Sequence, residues 1–273
     1  MRRVAFQQQR LPHTDLTVGR IGLGSSFGIG AGDVELAYDH GINYFYWGSI
    51  RRPAFGEGIR RLAQRSRDRI VVALQSYARW PAGLLTHGVE RGLQRLRLDY
   101  ADVLVLGWYN QRPAQAILDA ALELRARGRV RYLMMSGHNR PFFPEIAREN
   151  LFDLLMVRYN AAHRGAEQDV FPLLPDDERR PGTCAYTATR WGTLLDAKRL
   201  PSGERVPSAG DCYRFCLTHP AVDLVLCGPA NTDHVREACR ALDKGLLDAD
   251  ELAWMRRVGD YVYRRSPVRT LAD

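Results

Sequence analysis

Eight times along the chain a short apolar run gives way to a longer segment with apolar residues at helical spacing. That alternation restricts the fold to parallel strands joined by crossover helices, an α/β architecture. The runs are 20–24, 42–46, 70–74, 102–106, 130–136, 154–157, 183–186 and 223–226. Between them, 84–96 carries Leu84, Leu85, Val89, Leu93 and Leu96 on one helical face, and 114–127 carries Ile117, Leu118, Ala121, Leu122 and Leu124. A doubly wound sheet shows the same alternation, so the glycines near the first strand must decide. A GxGxxG turn should join that strand to its helix. Gly22, Gly24 and Gly28 have a different spacing, and Gly22 lies inside the strand. No linker rich in Pro, Gly or Ser divides the 273 residues. The pattern therefore predicts one (β/α)8 TIM barrel, a single domain over residues 1–273.

Two stretches break the regularity. Residues 172–181 (PLLPDDERRP) predict a shortened sixth helix and a charged loop. Residues 200–210 (LPSGERVPSAG) form the clearest long loop, after the seventh strand, on the face where barrels build their sites.

The formal charge of +8 raises the question of an anionic partner. Of the basic residues only Lys198 and Lys244 are lysines, and the arginines are scattered among acids instead of forming a stripe. Nucleic acid is therefore not an expected partner, and a small-molecule ligand, which can be anionic, is. Five cysteines without CxxC or paired-His spacing predict neither a disulfide framework nor a metal site, in keeping with the reducing cytoplasm. The start, MRRVAFQQQR, lacks the apolar stretch of an export signal, and no run of 18 apolar residues predicts a membrane span.

Six segments, taken in order, resemble the aldo/keto reductase family: RLPHTDLTVGRIGLG (10–24), DHGINYF (39–45), GLQRLRLDYADVLVL (92–106), RARGRVRYLMMSGH (125–138), RYNAAHRGAE (158–167) and LVLCGPANTDHVREACRAL (224–242). The SGH and YNAAHRGAE stretches resemble a bacterial subgroup of it. The resemblance implies a hairpin ahead of the first barrel strand and NADP(H) held in an extended pose at the C-terminal mouth. It also implies carbonyl reduction by an Asp, Tyr, Lys, His tetrad. This chain departs from the tetrad throughout, with Tyr46 at the Asp position, Arg51 at the Tyr, Gln75 at the Lys and Gly107 at the His.

Cofactor positions carry over in part. Ser136 stands where the family contacts the nicotinamide amide, and Tyr186 where an aromatic ring stacks on it. Arg190, the 228–232 loop with Gly228, Asn231 and Thr232, and Glu237 complete the expected NADP(H) set. Gly137, Met156, Ala230 and Ala238 stand where the family has Asn, an amide-binding Gln, a basic residue and Asn.

For catalysis the candidates are Tyr46, Arg51 and His138. The charge of Arg51 should favour tyrosinate at Tyr46, and a guanidinium is a clamp rather than an acid. His138, at a strand terminus, can shuttle a proton near neutral pH. Trp47, Gln75, Tyr77, Trp108 and Tyr109 are the expected substrate contacts in an aromatic mouth that also includes Tyr159 and Trp191. His163 and Arg164 read as a solvated loop and Cys227 as inert packing. Three functions follow: an NADP(H)-binding reductase of small carbonyls without the usual tetrad, a non-redox isomerase, lyase or cyclase using Tyr46, Arg51 and His138, or a non-catalytic regulatory pseudoenzyme.

Overall fold

The computed structural model describes residues 5–48 and 51–265, so part of the N-terminal stretch read for an export signal lies outside the described residues. A hairpin of β1 (Gln9–Arg10) and β2 (Thr17–Val18) leads into β3 (Ile21–Gly24). Then follow α1 (Ala31–Asp39), β4 (Tyr44–Trp47), α2 (Pro53–Ser66), β5 (Val71–Ser76), α3 (Gly83–Leu96), β6 (Ala101–Leu106), α4 (Gln115–Ala126) and β7 (Val130–Ser136). The second half adds α5 (Phe142–Arg148), β8 (Leu154–Arg158), α6 (Ala166–Asp169), β9 (Gly182–Tyr186), α7 (Ala209–Thr218), β10 (Leu224–Cys227), α8 (Thr232–Lys244) and α9 (Ala249–Arg264). Strands β3 to β10 pair in parallel and in sequence, and β10 closes on β3, giving the expected (β/α)8 barrel.

Alternation along each strand builds two cores. Outward residues such as Leu23, Phe45, Leu104 and Leu155 pack under the helices. Inward residues, among them Tyr44, Ala73, Val103, Met134, Leu154, Met156 and Cys184, fill the barrel, and Leu11, Leu16 and Val18 of the hairpin region join them from below. The hairpin thus plugs the N-terminal end.

Alternate strands are also stitched at that end by side chains that open every second strand. Asn43 accepts from the N–H of Gly19, Asp102 from Val72, Asp153 from Leu133 and Asp223 from Thr183, at 2.8–2.9 Å. A buried acid needs such donors and cations. Asp102 has Arg67 and Arg131 at 3.0 and 3.2 Å, and Asp223 has Arg180 at 2.8 Å. These pairs account for several of the scattered arginines.

The irregular stretches take the expected places with one difference. Helix α6 is a single turn, followed by a short 3-10 turn at Phe171–Leu173. The long loop, however, runs over 187–208 rather than 200–210: Thr187, Arg190, Trp191 and Gly192 adopt positive φ, and two short 3-10 turns, Thr193–Leu195 and Ala197–Arg199, precede α7. Arg164 and His163 are also not solvated. Arg164 donates to Asp260 at 2.6 Å, and His163 is buried, so α9 is held against the loop that follows β8.

Candidate active site

At the C-terminal mouth the last inward position of each strand faces a common space. Continuing the inner register gives Tyr46 on β4, Gln75 on β5, Ser136 on β7, Arg158 on β8 and Tyr186 on β9. Gly107, just past β6, contributes no side chain. A Cβ there would collide with the Gln75 amide and lie 2.9 Å from the Tyr77 ring, so the bare glycine makes room for these two side chains.

One close polar contact joins two sequence candidates. The Tyr186 hydroxyl lies 3.0 Å from Nδ1 of His138, and Asn110 fixes the His138 segment by accepting from the N–H groups of His138 and Asn139. Arg158 pairs in register with Tyr186, and its charge acts on both partners. Burial, seconded by Arg158, pushes the His138 imidazole below its ordinary range. Burial pushes the Tyr186 phenol up, and Arg158 opposes that shift. The sequence reading did not single out Arg158. Two-residue alternation from inward Met156 would have placed it in the mouth.

The expected tyrosinate at Tyr46 is overturned. Burial is the main cause that holds its phenol well above the ordinary range, and a hydrogen bond with Tyr77 acts in the same direction. Arg51 is exposed, two residues ahead of α2.

The aromatic ring of the mouth is smaller than expected. Trp47 is buried beneath α2, donating from Nε1 to the Arg52 carbonyl at 3.1 Å. Tyr109 is buried with its hydroxyl on the Ala78 carbonyl and Arg79 stacked on its ring. Tyr159 packs in the outer layer against Phe171 and Phe215. Trp47 and Tyr159 point to the strand–helix layer because their positions alternate with the inward ones, and Tyr109 joins that layer from the loop beyond β6. Tyr77 and Trp108 do stand at the rim, with ring centroids 5.0 Å apart. Trp108 and Trp191 are 60% and 66% exposed, and both hold positive φ, a conformation that a bulky residue seldom adopts without surrounding constraint.

The positions expected for a dinucleotide divide into two groups. At the nicotinamide end, Ser136 Oγ accepts from the Trp108 N–H at 3.1 Å, which leaves its own proton to donate, so this donor suits a carboxamide oxygen. At the far end, Asn231 caps α8 by accepting from the His234 N–H, the bare Gly228 lies under the Phe27 ring, and Thr232 begins the helix. Glu237 instead accepts from the Gly210 N–H, Arg190 donates to the Val262 carbonyl, and Arg236 pairs with Asp233. The 228–232 loop thus offers backbone and the N-terminus of α8.

Cys227 is buried and its thiol is pushed up by that burial, as packing sulfur should be. Among the described residues no group of His, Cys, Asp or Glu could hold a metal ion. No helix among them is long and apolar enough to cross a membrane.

A closed eight-stranded barrel with its polar groups at the C-terminal mouth defines the class. Within that class the chain has the fold of the aldo-keto reductases. It is similar to an aldo-keto reductase from Bacillus halodurans in its holo form, at 20% identity and a TM-score of 0.76, over 93% of this chain and 96% of that one. It is also similar to an aldo/keto reductase from Klebsiella pneumoniae in complex with NADP and acetate, at 24% identity and a TM-score of 0.74, with the same two coverages. An aldo-keto reductase from Klebsiella pneumoniae in complex with NADPH matches at 24% identity and a TM-score of 0.74 over 99% of both chains. No protein-family model and no curated protein matches the chain.

Proposed function

We propose that this chain is a one-domain, cytoplasmic, aldo/keto-reductase-like enzyme that binds NADP(H) and acts on a small carbonyl compound with a relocated proton donor. The observation that carries this reading is the Tyr186–His138 contact of 3.0 Å beside the buried Arg158. The solved relatives that hold NADP or NADPH support the cofactor. Ser136 would hold the carboxamide, and the 228–232 loop the phosphates. When bound, NADP(H) supplies the hydride.

The chain's own residues handle the proton. The Tyr186 O–H bond breaks as a substrate O–H bond forms, and the resulting phenolate is stabilised by the Arg158 guanidinium, which cannot itself titrate. His138, kept neutral by burial, holds the phenolate by hydrogen bond and passes on a proton from solvent. Tyr46, held protonated, is left as a hydrogen-bond donor rather than a base.

The same pair moves protons without any redox partner, which favours an isomerase, lyase or cyclase as the second reading. Titration with NADPH and NADH, followed by cofactor fluorescence and thermal stability, separates the two. Saturable micromolar NADPH binding supports the reductase. No binding at millimolar cofactor overturns it.

A further inference from the structure

The segment 107–110, where the chain leaves β6, is gripped by the loops that follow β5 and β7. From the β7 side, the Ser136 carbonyl accepts the Tyr109 N–H at 2.7 Å, and the Asn139 amide donates to the Asn110 carbonyl at 3.0 Å. From the β5 side, Nη2 of Arg79 donates to the carbonyls of both Gly107 and Trp108, each at 2.6 Å. The same guanidinium stacks on the Tyr109 ring at 3.7 Å, and the Tyr109 hydroxyl donates back to the Ala78 carbonyl.

Two carbonyl oxygens that converge on one nitrogen repel each other unless a cation stands between them. Their convergence goes with the backbone of Trp108, whose φ of 61° is a left-handed conformation that bulky residues hold only under constraint. Arg79 supplies that constraint. Both ends of the segment then reach groups at the mouth. The Trp108 ring stands 5.0 Å from that of Tyr77 at the rim. Oδ1 of Asn110 accepts the His138 N–H at 2.6 Å, and His138 meets the Tyr186 hydroxyl at 3.0 Å.

We propose that Arg79 is a positioning residue: by holding the Gly107 and Trp108 carbonyls together, it sets the Trp108 ring at the rim and, through Asn110, the His138 ring against Tyr186. Its action on His138 runs along the backbone of 108–110. The consequence for turnover rests on the proton-transfer role proposed above for His138, whereas the positioning itself is read without cofactor or substrate.

The test is NMR titration of the full chain with its His and Trp residues labelled. The His138 ring and Trp108 indole resonances are assigned by their loss in His138→Gln and Trp108→Phe. In Arg79→Ala the Trp108 resonance should move to the position of a solvated indole as the Tyr77 ring current is lost. The His138 midpoint should rise towards the ordinary histidine value as its ring gains solvent. Arg158 and Tyr186, which act on His138, are unchanged in every variant. Arg79→Lys should restore both resonances, because an ammonium can donate to the same two carbonyls. The His138 shift should persist at high salt, which screens the direct charge of the exposed Arg79. Both resonances unmoved in Arg79→Ala, the Trp108 resonance moving alone, or a His138 shift abolished by salt would overturn the proposal. Should Arg79→Ala melt early, Arg79→Gln takes its place with the same outcomes. On an accepted carbonyl substrate kcat/KM should also fall about 10²-fold, the scale of a misplacement of about 1 Å. Resonances that move while turnover does not would instead overturn the proton-transfer role of His138.

Discussion

The Tyr186 hydroxyl and Nδ1 of His138 meet at 3.0 Å across the mouth, joining β9 to the loop that follows β7. A strand side chain and a loop side chain, the latter held by a backbone anchored on Asn110, form a unit that a single substitution can dismantle.

Tyr186→Phe removes only the hydroxyl and should lower kcat by about 10²–10⁴ while leaving the melting temperature nearly unchanged. His138→Ala should fall in the same range. The double variant should be no slower than the worse single one, because residues that act as a unit are non-additive. Steady-state kinetics on an accepted carbonyl substrate provides the measurement.

Stability should fall as the solution is acidified. Burial lowers the imidazole pKa of both His138 and His219 in the folded chain, so the unfolded chain takes up protons first. Where the unfolded state binds more protons, stability rises with pH. The contribution is therefore present above the ordinary histidine range and is lost as pH drops below about 6.5. Melting temperature against pH checks the sign, and His138→Gln together with His219→Gln should flatten the acid limb.

Ser136→Ala deletes the donor left over after the hydroxyl oxygen has accepted from Trp108. One neutral hydrogen bond contributes about 0.5–1.5 kcal/mol, so NADPH affinity should fall about two- to tenfold with kcat less affected. Fluorescence titration of the two proteins side by side reads this directly.

Arg214 is 1% exposed and ties α7 to the start of α9 through Glu251 at 2.9 Å, Asp211 at 3.5 Å and the carbonyls of Gly245 and Leu246. Arg214→Met should cost about 3–5 kcal/mol, because it strands buried acceptors and a carboxylate. Denaturant unfolding measures the loss.

The barrel was legible in the sequence because short buried runs and one-faced helices leave strong periodic signals. The predicted runs at 42–46 and 70–74 are displaced by one or two residues, since Asn43 and Ile70 are apolar-flanked positions used for stitching and entry rather than pairing. Where the mouth side chains point was less legible. Trp47 and Tyr109 looked like mouth residues because they sit at or past strand ends, but alternation sends Trp47 under α2, and Tyr109 follows the positive-φ Trp108 into the outer layer. The tyrosinate expected at Tyr46 failed because burial disfavours the charged phenolate. Arg158 escaped notice inside a segment read for its resemblance rather than for its inward register.

Among the described residues, the plug of Leu11, Leu16 and Val18 leaves the barrel with one doorway. Molecules that share one doorway cannot leave past each other. Whatever settles deepest must arrive first and depart last, so turnover with two ligands should follow a compulsory order, and the last to dissociate should set the pace at saturating substrate.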